Sequence, residues 1–254
     1  MSFNKSAADV LFMSGEYEKA CDAFRRGAEE GSDIAAYNYA YCLLNGIGTE
    51  RDPALAKSFF TFARDMEGGE SCYNLAVMHL NGIGVQRDLR AALQYMSDSA
   101  DLGCVEAMLY LGMSYTIGYL MYPEITGICM IPYHKPEIRA EGLPMLEGGV
   151  SEALRQDEEE RSTVIRDDAR RAFEYFSEAA TADPTYVEEL VAKGRFLFAR
   201  CFIDGHGVEM NRDIGTRLMI SAGKLGSMEA VSYLAENGVS QKLLAEAGII
   251  TPGE

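Results

Sequence analysis

A repeated phrase most constrains what this chain can fold into. Asn45-Gly46-Ile47-Gly48 recurs as Asn81-Gly82-Ile83-Gly84, 36 residues on, and a looser copy reads Asp204-Gly205-His206-Gly207. The flanks agree in register: Tyr37-Asn38-Tyr39-Ala40 matches Tyr73-Asn74-Leu75-Ala76, and Arg51-Asp52 matches Arg87-Asp88. A fixed period of this size implies stacked supersecondary units, each burying its apolar face against the next.

The units read as helix pairs. Ala20, Ala23, Phe24, Gly27 and Ala28 recur at steps of three and one, which is one face of a helix. The matching sets are Ala56, Phe59, Phe60, Ala63 and Arg64, then Ala92, Tyr95, Met96, Ser99 and Ala100. Small residues among large ones let helices approach closely. A glycine just past a helix takes the left-handed conformation that ends it, and Asp52 followed by Pro53 is a good cap for the next. Asp88, Asp168 and Asp213 fall in similar places. Helices are expected near 5–14, 16–30, 32–45, 52–66, 70–81, 88–102, 104–118, 168–182, 185–203, 212–225, 227–237 and 240–247, with no strand.

The array is interrupted once. Gly118 keeps the glycine position, Leu120 replaces the second glycine, and the next helix waits for Asp168. The expected organisation is one continuous solenoid: repeats in 1–118, an insertion within the fourth repeat at 119–167, and repeats with a capping helix in 168–254. The insertion opens with Pro123, Pro132, Pro136 and Pro144 among tyrosines and an apolar run. Its charged second part, 151–167, is expected to extend the helix that follows. A connection this long is usually functional or disordered.

Composition narrows the function. The formal net charge is −16, which opposes binding of phosphate backbones and is compatible with a basic partner. Cys21, Cys42, Cys72, Cys104, Cys129 and Cys201 form no CxxC and no recurring pair, so reduced thiols in a cytoplasmic setting are expected. The first residues lack a basic region followed by an apolar stretch, so no signal peptide is expected, and no apolar run suits a membrane span.

With Ala35 to Ala40, Asn45 to Gly48 and Asp52, then Ser71 to Ala76, Asn81 to Val85 and Asp88, then Ala107 to Tyr115, the chain resembles the Sel1-like repeat family, relatives of the tetratricopeptide repeats. The opening segment, with Leu11, Gly15, Tyr17, Ala20, Phe24 and Ala28, is more similar to a tetratricopeptide unit. The resemblance implies an all-α, right-handed superhelix of antiparallel helix pairs, with the first helix of each pair lining a concave face. Known members are mostly adaptors. The turn before Asp213 departs from the pattern by being stretched.

If that register transfers, Tyr37, Tyr41, Tyr73, Val77, Met113, Phe196 and Arg200 lie on the concave face. Tyrosine with arginine suits a protein or peptide surface, although helical aromatic stripes are also core. In the insertion, Tyr119, Tyr122, Tyr133 and His134 are candidates for docking, against a loop that only seals the array. His79 reads as a packing residue and His206 as a solvated turn residue.

No HExxH, GxSxG or GxxxxGK[ST] occurs, and the glycine pairs follow helices rather than strands, so no metal, cofactor or catalytic residue is assigned. The expected function is a non-enzymatic protein-interaction adaptor that binds neither nucleic acid nor membrane directly. Alternatives are an acidic inhibitor or immunity-type protein covering a basic target and, less favoured, a β-lactamase-like hydrolase, as some cysteine-rich relatives have been linked to penicillin binding.

Overall fold

The structure, a computed structural model, describes residues 7–66, 68–118, 120, 162–185, 187–239, 244 and 248. These form two compact units, which divide between Cys104 and Val105. Among the described residues there are eleven α-helices and no strand.

The first unit holds α1 (Ala7–Met13), α2 (Tyr17–Glu29), α3 (Asp33–Asn45), α4 (Pro53–Asp65), α5 (Gly69–Asn81) and α6 (Leu89–Asp101). The second holds α7 (Val105–Ile117), α8 (Ala169–Thr181), α9 (Glu188–Asp204), α10 (Arg212–Lys224) and α11 (Met228–Glu236). The starts of α3, α5 and α7 are spaced by 36 residues, as are those of α4 and α6. Within each unit every helix packs on its neighbours in the chain, and α7 also touches α9.

The two helices of a pair bury themselves differently. Eight of the 13 residues of α3 and ten of the 13 of α5 are buried, against three of 13 in α4. The first helices α3 and α5 are therefore enclosed nearly all round. The second is amphipathic and contributes a stripe such as Ala56, Phe60 and Ala63. Fully burying a side chain such as Phe60 or Leu75 is worth about 1.5–3 kcal/mol, and both are 0% exposed. Polar groups inside this core find partners: the hydroxyl of Ser99 on α6 donates to the Gly69 carbonyl of α5 at 2.7 Å. Exposed pairs along α2, such as Arg25 with Glu29, add little by comparison.

Caps set the helix ends. The side chain of Asp52 accepts from Leu55 N, Asp88 from Arg90 and Ala91 N, and Asp168 from Arg170 and Arg171 N. The expectation for Asp213 is corrected: it lies inside the first turn of α10, and Asn211 is the cap, accepting from Ile214 N. The turn before it is therefore not stretched. Six residues separate Gly205 from Asn211, as six separate Gly46 from Asp52 and Gly82 from Asp88.

The segment before α8 also differs from expectation. Residues 163–167 are turn and coil, and Asp168 is extended (φ −149°), so no helix runs into α8. An extended cap is required for its side chain to reach back over the first-turn N–H groups. The expected helix at 240–247 lies outside the described residues except for Leu244, which is buried with Met219 and Leu234.

Candidate interaction surface

The recurring turns position everything else. In each, the first glycine is left-handed (Gly46 φ 71°, Gly82 φ 69°, Gly205 φ 73°) and its N–H returns to the carbonyl four residues back. The next N–H follows suit: Ile47 to Cys42, Ile83 to Met78 and His206 to Cys201. The capping residue closes the turn, with Asp52 N donating to Leu43 O, Asp88 N to His79 O and Asn211 N to Phe202 O at 2.8–2.9 Å. In the two better-matched copies, Arg51 and Arg87 donate Nε to Leu44 and Leu80 carbonyls.

The second glycine has a different task, which sequence reasoning missed. A Cβ on Gly48 would lie 2.2 Å from Tyr17 O, one on Gly84 2.7 Å from the Pro53 backbone, and one on Gly207 2.0 Å from Ala169 O. Tyr17, Pro53 and Ala169 are the first residues of α2, α4 and α8. The turn inside one pair thus presses backbone to backbone on the second helix of the preceding pair, and only hydrogen fits.

The same closing bond survives the insertion. Asp168 N donates to Tyr115 O at 2.9 Å, the equivalent of Asp88 N to His79 O. Nine residues separate the partners in one case and 53 in the other. The chain leaves and returns at one repeat turn, where Leu120 and Ile165 are buried.

The predicted surface residues separate by unit. Tyr37, Tyr41, Tyr73 and Val77, all of the first unit, are 1%, 5%, 6% and 6% exposed. Tyr37 meets Phe60 edge-on at 5.6 Å, and its hydroxyl accepts from Asn74 Nδ2. In the second unit Met113 and Phe196 are half-buried and Arg200 is exposed. The Arg200 guanidinium pairs with Asp204 at 2.7 Å and lies 5.6 Å from the centroid of the Tyr233 ring. Phe196 and Tyr233 pack on one core cluster. Ile117, one turn beyond Met113 on α7, is 42% exposed. Neither Tyr233 nor Ile117 was a sequence candidate, since the last pair and the helix end give weak register. Tyr119, Tyr122, Tyr133 and His134 lie outside the described residues.

Among the described residues the histidines and cysteines are packing groups. His79 is half-buried, with its ring 5.3 Å from Tyr95, and burial, then the Lys57 charge, hold its pKa below the ordinary histidine value. Tyr115, 36 residues on, stacks on Tyr175 at 5.9 Å and accepts from Arg171 Nη1 at 2.8 Å. His206 was expected to be solvated; it is half-buried with Nε2 shielded from solvent, because its turn presses on α8. Cys21, Cys42, Cys72, Cys104 and Cys201 are buried, and none is in a disulfide. Burial pushes Cys72 and Cys201 up to about 11. Among the described residues no group of His, Cys, Asp or Glu could hold a metal, and no helix is long and apolar enough to cross a membrane.

A family model for the Sel1 repeat matches residues 33–67, 69–104 and 159–184. The chain carries Sel1 repeats. Its fold is the all-α class of stacked helix pairs, as in the Sel1 repeat protein from Oxalobacter formigenes, which is 18% identical with a TM-score of 0.60 over 87% of this chain and 49% of that one. A protective antigen present in uropathogenic Escherichia coli strains and displaying an SLR fold is 18% identical, with a TM-score of 0.41, over 90% of this chain and 62% of that one. The chain thus spans about half to three-fifths of the length of these Sel1-type structures. No curated protein matches it. In Sel1 terms, the matches at 33–67 and 69–104 hold two complete helix pairs, α3 with α4 and α5 with α6.

Proposed function

We propose that the chain is a non-enzymatic, cytoplasmic interaction module that holds a protein or peptide on the first-helix face of its second unit. One observation carries this reading. At register-equivalent positions Tyr41 and Val77 are buried, whereas Met113 is half-buried and Arg200 is exposed. Met113 and Ile117 on α7, with Phe196 and Arg200 on α9 and Tyr233 on α11, offer apolar area beside a fixed guanidinium. Anchors of this kind dominate binding energy in protein interfaces. The charge of −16 favours a basic partner and speeds its encounter. The insertion, with Tyr119, Tyr122, Tyr133 and His134, is proposed as an accessory docking element.

The test is selection of binding peptides from a displayed random library on the whole chain, followed by calorimetry. Met113→Glu with Arg200→Ala should weaken the selected peptide by about tenfold or more, equivalent to about 1.4 kcal/mol. A chain in which residues 119–167 are replaced by a copy of Ile83–Arg87 should fold, because the closing bond at Asp168 N is kept. Binding unchanged in the double variant but lost in the shortened chain would move recognition to the insertion and overturn this assignment. The inhibitor reading is separated by salt: occupation of a basic site through net charge predicts association that slows steeply as salt rises.

A further inference from the structure

The α2–α3 hairpin brings two thiols together. The helices run antiparallel and pack closely at Gly27, where an added Cβ would lie 2.7 Å from Ala35 Cβ. Cys21 is six residues back along α2 and Cys42 seven residues on along α3, rises of about 9 and 10 Å. Both therefore stand at one level of the hairpin, on facing helices of one core cluster. The Cys42 side chain, and less so Thr49, lies within reach of the Cys21 thiol. Both residues are buried, Cys42 at 0% and Cys21 at 4% exposure.

We propose that Cys21 and Cys42 are a modification site, a dithiol that hydrogen peroxide converts to a disulfide clamping α2 to α3. The Cys21 thiolate attacks one peroxide oxygen, the O–O bond breaks, and hydroxide leaves. The Cys21 sulfenic acid is then attacked by Cys42 sulfur; the S–O bond breaks, the S–S bond forms, and water leaves with the Cys42 proton. Overall two thiols lose two electrons and two protons, and one peroxide becomes two waters. Thiolate chemistry at Cys21 is supported by its neighbours: hydrogen bonding from Cys42, and less so from Thr49, holds its pKa below the ordinary thiol value against the opposing effect of burial.

The reduced full-length chain is exposed to graded peroxide, denatured, alkylated and mapped by mass spectrometry. The expected result is one new cross-linked peptide pair joining Cys21 to Cys42, reversed by dithiothreitol, while Cys72, Cys104 and Cys201 remain alkylatable. The thermal midpoint of the oxidised chain should rise, because the cross-link restricts the unfolded state. Cys42→Ser should instead leave a Cys21 sulfenic acid that dimedone traps. Peroxide that leaves Cys21 and Cys42 alkylatable, or carries Cys21 to sulfinic acid without a cross-link, would overturn the proposal. Mapping in a Cys129→Ser background, with the same cross-link expected, excludes a product that depends on Cys129.

Discussion

Asn74 Nδ2 donates to Tyr37 Oη at 3.2 Å, joining the first helices of two neighbouring repeats. Asn74 Nδ2 also donates to Glu70 O at 3.1 Å, so both hydrogens of its amide nitrogen are used. Both residues are buried, at 8% and 1% exposure. Asn74→Ala should destabilise the first unit by about 1–3 kcal/mol, since a buried hydroxyl loses a partner. Tyr37→Phe should cost less, about 0.5–1.5 kcal/mol, because the ring and its contact with Phe60 remain. Urea unfolding would show a lower midpoint with an unchanged slope in both variants. Equal stability of Asn74→Ala and the native chain would remove this bond from the account.

The two glycine roles predict different penalties. Gly15 is left-handed (φ 81°) with nothing within 4 Å of an added Cβ, so Gly15→Ala meets only the backbone preference, roughly 1–2 kcal/mol. Gly48→Ala meets that and a Cβ 2.2 Å from Tyr17 O, which no rotamer relieves. Its cost should exceed about 3 kcal/mol, as should that of Gly207→Ala. Thermal unfolding of the three variants decides it; similar losses at Gly15 and Gly48 would refute the backbone contact.

His79 makes stability depend on pH. Burial is the larger cause of its lowered pKa, with Lys57 second and Asp88 opposing. The folded chain then binds fewer protons than the unfolded chain below the ordinary histidine value of about 6.5. Its contribution is complete above that value and is lost as the pH falls through the lowered folded pKa. His79→Phe keeps a ring against Tyr95 and should flatten this limb. Urea midpoints across about pH 5–7.5 measure the slope, and parallel curves for variant and native chain would count against it.

Locally encoded features were legible in the sequence. The period, the helices and the left-handed glycines of Gly46, Gly82 and Gly205 depend on contacts within about one turn, and the spacing of small and large residues reveals them. The Asp52, Asp88 and Asp168 caps were readable for the same reason. Asn211 was missed because Asp213, an equally good capping residue, stands two positions on; the bond from Asn211 N to Phe202 O selects between them.

Other features were decided by tertiary structure. Tyr37, Tyr41 and Tyr73 carry the composition of a binding surface, and only packing makes them interior while Arg200 stays exposed. The second glycine of each turn is indistinguishable from a loop glycine until Tyr17, Pro53 or Ala169 arrives against it. The insertion returns to its own turn through a bond between Asp168 and Tyr115, 53 residues apart. The sequence by itself determined the repeating unit, because a helix and its caps are settled by neighbours along the chain. Which side chains remain free to meet a partner was decided in three dimensions, because burial depends on residues that the chain brings together only when the helix pairs stack.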